Sequence, residues 1–239
     1  MSRTRRAALA ILIVGFATTA LFLGRWQLQR LQSRREVNAA LLAARTLPPL
    51  DLTAEGPAPL PGRRLSVRGS FDTANQLLLR GRVHDAAPGL EVVTAFHLAG
   101  SQRVLWVLRG FVTSPDATTI PQLPPPAPGE VTLTGLAFPV PTTADAGQPL
   151  IRGRDTTWRR LDQGTLARRT PGTFDTYLLL AGDSTGPGGL PTVEPPALDD
   201  GPHLSYAIQW FGIALAIAAF GVIALRRGDR GSAPPRAAP

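Results

Sequence analysis

The sequence predicts a two-span membrane protein whose spans form a hairpin, with an extracytoplasmic, antiparallel β-rich domain of barrel or sandwich type between them. Three observations carry this. An uncharged apolar run stands near each end of the chain, the centre alternates between apolar and polar residues in short segments, and arginines gather outside the apolar runs. From Ala7 to Leu23 the first run reads AALAILIVGFATTALFL, and from Tyr206 to Leu225 the second reads YAIQWFGIALAIAAFGVIAL. Each approaches the ~20 apolar residues that cross ~30 Å of hydrocarbon. Backbone polar groups in lipid are satisfied only inside a helix or a closed barrel, and runs this rich in Ala, Leu and Ile are helical. The spans are assigned to 7–24 and 203–225. Thr18-x-Ala20 resembles a small-residue cleavage site. The apolar run, however, is longer than a signal-peptide core and passes unbroken into WQLQRLQ, which favours a retained helix.

Flanking charge sets the expected orientation. Arg226, Arg227, Arg230 and Arg236 follow the second span, whereas Glu194, Asp199, Asp200 and His203 precede or open it, so its C-terminal end is expected in the cytoplasm. The first span has Arg3, Arg5 and Arg6 before it but Arg25, Arg30, Arg34 and Arg35 after it, and is ambiguous alone. With two spans, both termini share a side. Residues 1–6 and a disordered tail, 226–239, are then cytoplasmic, and residues 48–202 extracytoplasmic.

The first helix is expected to leave the membrane and continue over 25–47, with Leu28, Leu31, Val37, Leu41 and Leu42 as an apolar stripe and Pro48-Pro49 as its stop. A Pro/Gly-rich linker reaches Gly62. Leu65, Val67, Gly69 and Phe71 then alternate with polar residues as in a half-buried strand, and QLLLR (76–80) is a short second strand. EVVTAFHL (91–98) and RVLWVLRGFV (103–112), joined through Ala99-Gly100-Ser101-Gln102, make a hairpin. The second of these is apolar almost throughout, as expected of a strand covered on both faces. PQLPPPAPGE (121–130) cannot join a ladder and is an extended connection. EVTLTGLAF (130–138) alternates again, TWRRLD (157–162) is a strand or turn, LDQGTLARR a helical turn, and TYLLLAG (176–182) a last strand. Six or seven short strands with little soluble helix favour a sheet closed or folded on itself.

Composition removes several functions. The net charge of +8 and pI near 11.4 rest wholly on arginine, scattered or beside the apolar runs, which suits anionic headgroups rather than nucleic acid. Cysteine is absent and Met1 is the only methionine, so disulfides and sulfur-ligated metal sites are excluded. His84, His97 and His203 lie too far apart for a short-spaced metal motif. GDSTGPGG (182–189) lacks the Lys-Ser/Thr of a phosphate loop, no G-x-S-x-G elbow occurs, and His84-Asp85 falls in a turn, so no enzyme is expected. Arg109-Gly110 is taken as a structural pair at a strand end.

One constellation stands out. His203, Tyr206, Ala207 and Trp210 share a helix face where the second span begins. They suit an interfacial anchor, since Tyr and Trp favour that depth. That is the reading the residues alone favour; the second is an axial imidazole from His203 to haem iron, with the macrocycle lying against Trp210. Trp26-Gln27 sits at a matching depth on the first helix, and Arg25 and Arg30 are placed either as interfacial charge or as partners for propionates.

GRWQLQRL (24–31), LLLR (77–80) with GLEVVTAF (89–96), VLWVLRGFV (104–112) and HLSYAIQWF (203–211) together resemble the surfeit-locus-one family of cytochrome oxidase assembly proteins, with Phe111 where tryptophan is usual. The resemblance implies a membrane protein that helps haem a reach the catalytic subunit of a haem–copper oxidase. It further implies His203 as the residue tied to haem a, and cytochrome c oxidase subunits or haem a synthase as partners, with membrane lipid around the spans. In that reading Trp26, Tyr206 and Trp210 cover the ring, and Arg25 or Arg30 meets propionates. The alternative is a membrane-anchored scaffold that holds assembly intermediates without a cofactor.

Overall fold

The computed structural model describes residues 3–52, 61–142, 149–170, 177–181, 188–195 and 197–230. They fall into two compact units, residues 40–197 and residues 1–39 with 198–239.

The first unit is built on strands β1 (Leu50–Asp51), β2 (Arg64–His84), β3 (Ala87–Leu98), β4 (Val104–Thr113), β5 (Glu130–Pro139), β6 (Leu150–Arg152), β7 (Asp155–Thr157) and β8 (Tyr177–Ala181). The main sheet runs β1-β2-β3-β4-β8-β5, and β5 pairs back onto β2. The ring β2-β3-β4-β8-β5 is therefore closed, a five-stranded Greek-key barrel of the OB type. β6 and β7 form a separate hairpin. The expected antiparallel sheet needs correction: β4–β8 and β1–β2 are parallel, so the sheet is mixed. β8 thus runs in the direction of β4 and against β5, between which it lies.

Where two strands were expected over 64–71 and 76–80, one long strand runs through. Its pairing with β3 advances four positions from Asp72 to Gln76 against one from Ala95 to Thr94, so three additional residues bulge out. Asp72 holds the bulge, its carboxylate accepting from Ala74 N at 3.0 Å and Asn75 Nδ2 at 2.8 Å. An odd insertion reverses which side chains face in. Leu65 and Val67 therefore join one core cluster while Leu77 and Leu79 join another, although all four are odd-numbered.

β4 is covered on both faces, as its apolar run implied. Leu105 and Val107 pack with Leu65, Val67, Phe96, Leu98, Leu133 and Ala137, drawn from four strands of the ring, inside the barrel. Val104, Trp106 and Leu108 point the other way, toward Leu161 and toward Leu166 of α2 (Gln163–Arg169). Asp162 caps α2 by accepting from Thr165 N at 2.6 Å. The β2–β3 turn needs only Asp85 and Ala86, both at positive φ (48° and 62°), the geometry that suits strand twist.

The second unit pairs α3 (His203–Arg230) with the membrane-type part of α1 (Arg3–Thr46). The helices run antiparallel: a Cβ at Gly221 would meet Ile13, one at Gly24 would meet Phe211, and His203 bonds Gln27. Both are long and apolar enough to cross a membrane. Their large apolar side chains face outward, among them Ile11, Phe16, Phe22, Ile208, Leu215 and Phe220, whereas Ala20, Gly24, Ala207 and Ala214 are buried. That distribution is consistent with membrane anchoring. The stripe expected past the first span is only partly realised: Leu31 is buried, but Leu28, Val37 and Leu42 are exposed, since one neighbouring helix covers only one narrow face. α3 continues past Leu225 to Arg230. The glycine-rich segment 182–189 lies outside the described residues as far as 187.

Candidate functional site

Helical periodicity lays out the seam of the second unit. On α1, Ile13, Ala17, Ala20, Gly24, Gln27 and Leu31 recur at intervals of three and four and are the residues withdrawn from the surface. On α3 the corresponding set is His203, Ala207, Trp210, Ala214, Ile217 and Gly221. Small residues over most of this length let the backbones approach. At one end the seam turns polar, and there His203 Nδ1 stands 2.9 Å from Gln27 Oε1.

With the amide oxygen of Gln27 turned to the ring, the pair is a hydrogen bond when Nδ1 carries the hydrogen and donates it. In the neutral ring Nε2 then keeps its lone pair, the form in which histidine ligates a metal. His203 also lines an open cavity of about 430 Å³ with Arg30, Ser33, Arg34, Val37 and Gly201. The absence of Cβ at Gly201 keeps that wall low beside the ring, since a Cβ there would stand 3.6 Å from Nε2.

The segment entering α3 is held firmly. Asn38 Nδ2 donates to Asp199 O at 2.7 Å, Arg34 Nε donates to the same carbonyl at 3.3 Å, and Arg35 Nε donates to Asp200 Oδ2 at 2.8 Å. Asp199 in turn accepts from Gly201 N at 3.1 Å. These contacts fix the backbone two to four residues before His203. All are exposed, so they contribute register more than stability.

The residues singled out from sequence fall at different distances from this cavity. His203 and Arg30 line it. Trp26 is joined to it through Arg30, whose guanidinium carbon lies 6.0 Å from the indole centroid, and is 44% exposed. Trp210 is half-buried in the seam about two turns deeper than His203, while Arg25 and Tyr206 are exposed. Arg34 was not singled out for this site, and Gln27 was named only for its depth beside Trp26, with no role. The signal for Gln27 was present: it is a polar residue at a seam position, three after Gly24 and four before Leu31.

Haem fits the chemistry of these donors in part. One imidazole with a free Nε2 lone pair supplies one axial ligand, and Arg30 and Arg34 supply cations suited to carboxylates. A flat apolar wall is not lined up along the described cavity itself. Among the described residues no group of three or more His, Cys, Asp or Glu could hold a metal ion.

The barrel carries a different polar feature. Arg109 is the extra residue of a β4 bulge, because Leu108 pairs with Val93 and Gly110 with Val92. The bulge turns its side chain inward, to 0% exposure. Nη1 donates to Gln76 Oε1 at 3.1 Å and Nη2 to Pro124 O at 2.9 Å, and the group lies 5.7 Å from the Phe71 ring centroid. Burial pushes its pKa down. Gly110 follows at φ 150°, and a Cβ there would stand 2.5 Å from Pro191 O. The structural role read from Arg109-Gly110 is thus realised: the arginine ties the proline-rich crossing onto the barrel. His97 lies 3.5 Å from Asp72, and His84 packs by Phe111 beside the β2–β3 turn.

The model of the SURF1 family matches residues 14–215. A SURF1-like protein of Mycobacterium tuberculosis is 30% identical over 95% of this chain and 88% of its own length. A SURF1-like protein of Monosiga brevicollis is 28% identical over 96% of this chain and 91% of its own. Surfeit locus protein 1 of Rattus norvegicus is 27% identical over 83% and 69% respectively. The chain belongs to the SURF1 family.

Proposed function

From that membership we propose that the chain is a membrane-anchored assembly factor for a haem–copper cytochrome c oxidase, and that it carries haem a toward the catalytic subunit. Its action is transfer, not turnover, and it is not an enzyme. The observation that supports this reading is the His203–Gln27 hydrogen bond at the polar end of the helix seam. It leaves one imidazole nitrogen available beside two arginines, Arg30 and Arg34, that line the same cavity.

In this reading His203 ligates the iron of the cargo, Arg30 with Arg25 or Arg34 meets the propionates, and Trp26, Tyr206 and Trp210 cover the ring from the lipid side. A bound haem a supplies only its own iron and apolar edge; the chain supplies orientation and charge. A carrier must release what it collects, so a single protein ligand on an open cavity suits the task better than an enclosed site with two. In this reading both termini are cytoplasmic and the barrel lies outside, where it docks oxidase subunits or haem a synthase.

The test is to purify the full chain from cells that make haem a, alongside His203→Ala. The wild type should copurify with a Soret-absorbing haem that the variant loses. A wild-type preparation with no Soret band, or a band indifferent to the substitution, overturns cargo carriage and leaves the cofactor-free scaffold.

A further inference from the structure

We propose that Gln27 is the positioning residue of this site, and that its side-chain oxygen selects the imidazole tautomer able to ligate iron. The inference deepens the cargo reading above and, for its relevance to haem, rests on it. The geometry on which it stands does not.

A neutral imidazole has two tautomers, and an unconstrained histidine interconverts between them. Ligation by Nε2 requires the hydrogen on Nδ1, so a group that accepts from Nδ1 favours that form over the other. Gln27 Oε1 does this at 2.9 Å. Three features make the selection firm. Gln27 and His203 are both partly buried, which limits exchange of this bond for one to water. They stand on facing seam positions of two helices, between the close approach at Gly24 and the buried Leu31. The backbone entering α3 is held by Asn38, Arg34 and Arg35, which restricts how far His203 can turn away. An amide also suits this depth better than a carboxylate, because it accepts the hydrogen bond without placing a charge near the apolar seam. Partners of this kind, one step removed from a metal, typically change its affinity tenfold to a hundredfold.

The test is nitrogen-15 NMR of histidine side chains in the full chain in detergent, without haem, with the His203 signal assigned by its loss in His203→Ala. Wild type should show hydrogen on Nδ1. Gln27→Leu, which keeps the bulk and removes the acceptor, should move the population toward Nε2–H. Gln27→Glu retains an acceptor oxygen and should restore Nδ1–H, which also guards against a Gln27→Leu chain that fails to fold. Titration of each with haem a, followed at the Soret band, should show Gln27→Leu weakened about tenfold to a hundredfold and Gln27→Glu close to wild type. A wild-type His203 bearing its hydrogen on Nε2, or a tautomer unchanged in Gln27→Leu, overturns the inference whatever haem does. The expected tautomer shift with no haem bound by any variant upholds the role of Gln27 and overturns the cargo reading alone.

Discussion

The barrel and the helix pair of this chain place their apolar residues in opposite ways. In the barrel unit the large side chains are covered: Leu65, Phe96 and Leu105 inside the ring and Trp106 beneath α2 are all essentially inaccessible. In the helix pair the large side chains are outside and alanine and glycine line the seam. Water drives the first arrangement by expelling apolar surface. In lipid there is no such drive between helices, and close backbone approach with a few polar contacts takes its place. The same polar hydrogen bond therefore means different things in the two regions. Arg109, deep in the barrel, is a structural tie to Gln76 and Pro124 O, whereas His203, at a helix seam, bonds Gln27 through one ring nitrogen and lines an open cavity.

The largest test of that contrast is in the barrel. Arg109→Ala should destabilise the protein by about 3–5 kcal/mol, because it empties a buried volume, takes the guanidinium donor from Pro124 O and leaves Gln76 Oε1 with Thr94 Oγ1 alone. Arg109→Met, which fills the space, should cost markedly less. Urea unfolding followed by barrel tryptophan fluorescence separates the two, and equal, small effects would show that the tie carries nothing.

In the helix pair the corresponding disturbance is Gly24→Val. Its Cβ would come within 2.7 Å of the Phe211 ring, so the helices must part or Phe211 must move. Overpacking of this sort costs about 1–3 kcal/mol. Because Gln27 lies one turn away, the His203 tautomer should lose definition as well. A melting temperature in detergent equal to wild type, with His203 unchanged, would mean the seam is looser than the contact implies.

A smaller effect of opposite sign belongs to the β2–β3 turn. Ala86 sits at φ 62°, a conformation that costs an L-residue roughly 1 kcal/mol and glycine little. Ala86→Gly should therefore stabilise the barrel by up to about 1 kcal/mol, less the extra chain entropy glycine brings. A fall in the urea midpoint would contradict it.

The smallest is a pH effect at Glu91. Burial raises its pKa, with Arg82 at 3.0 Å opposing the rise. In the folded chain it therefore holds its proton at pH values where the unfolded chain has lost it. Its contribution to stability is full below the ordinary glutamate value and declines as pH rises through the raised one. Glu91→Gln should flatten that decline in a series of urea titrations across the acid range. An unaltered slope would assign the effect to another carboxyl.

Much of the molecule was legible from residue order alone. The two apolar helices, the buried run of β4, the helical turn in LDQGTLARR and the position of His203 follow from periodicity and composition, both of which act over a few residues. The long β2 was not legible, because its three-residue bulge reverses the alternation and makes one strand look like two. Nor was the parallel entry of β8 beside β4, which depends on which end of the ring the chain returns to. Gln27 is the clearest case. It reads as one polar residue at a seam spacing, and its partner stands 176 positions away. Local forces act between neighbours in sequence and so can be read from it; closure of the barrel and the pairing of Gln27 with His203 join distant segments, and only the folded chain, by bringing them within hydrogen-bond reach, decides them.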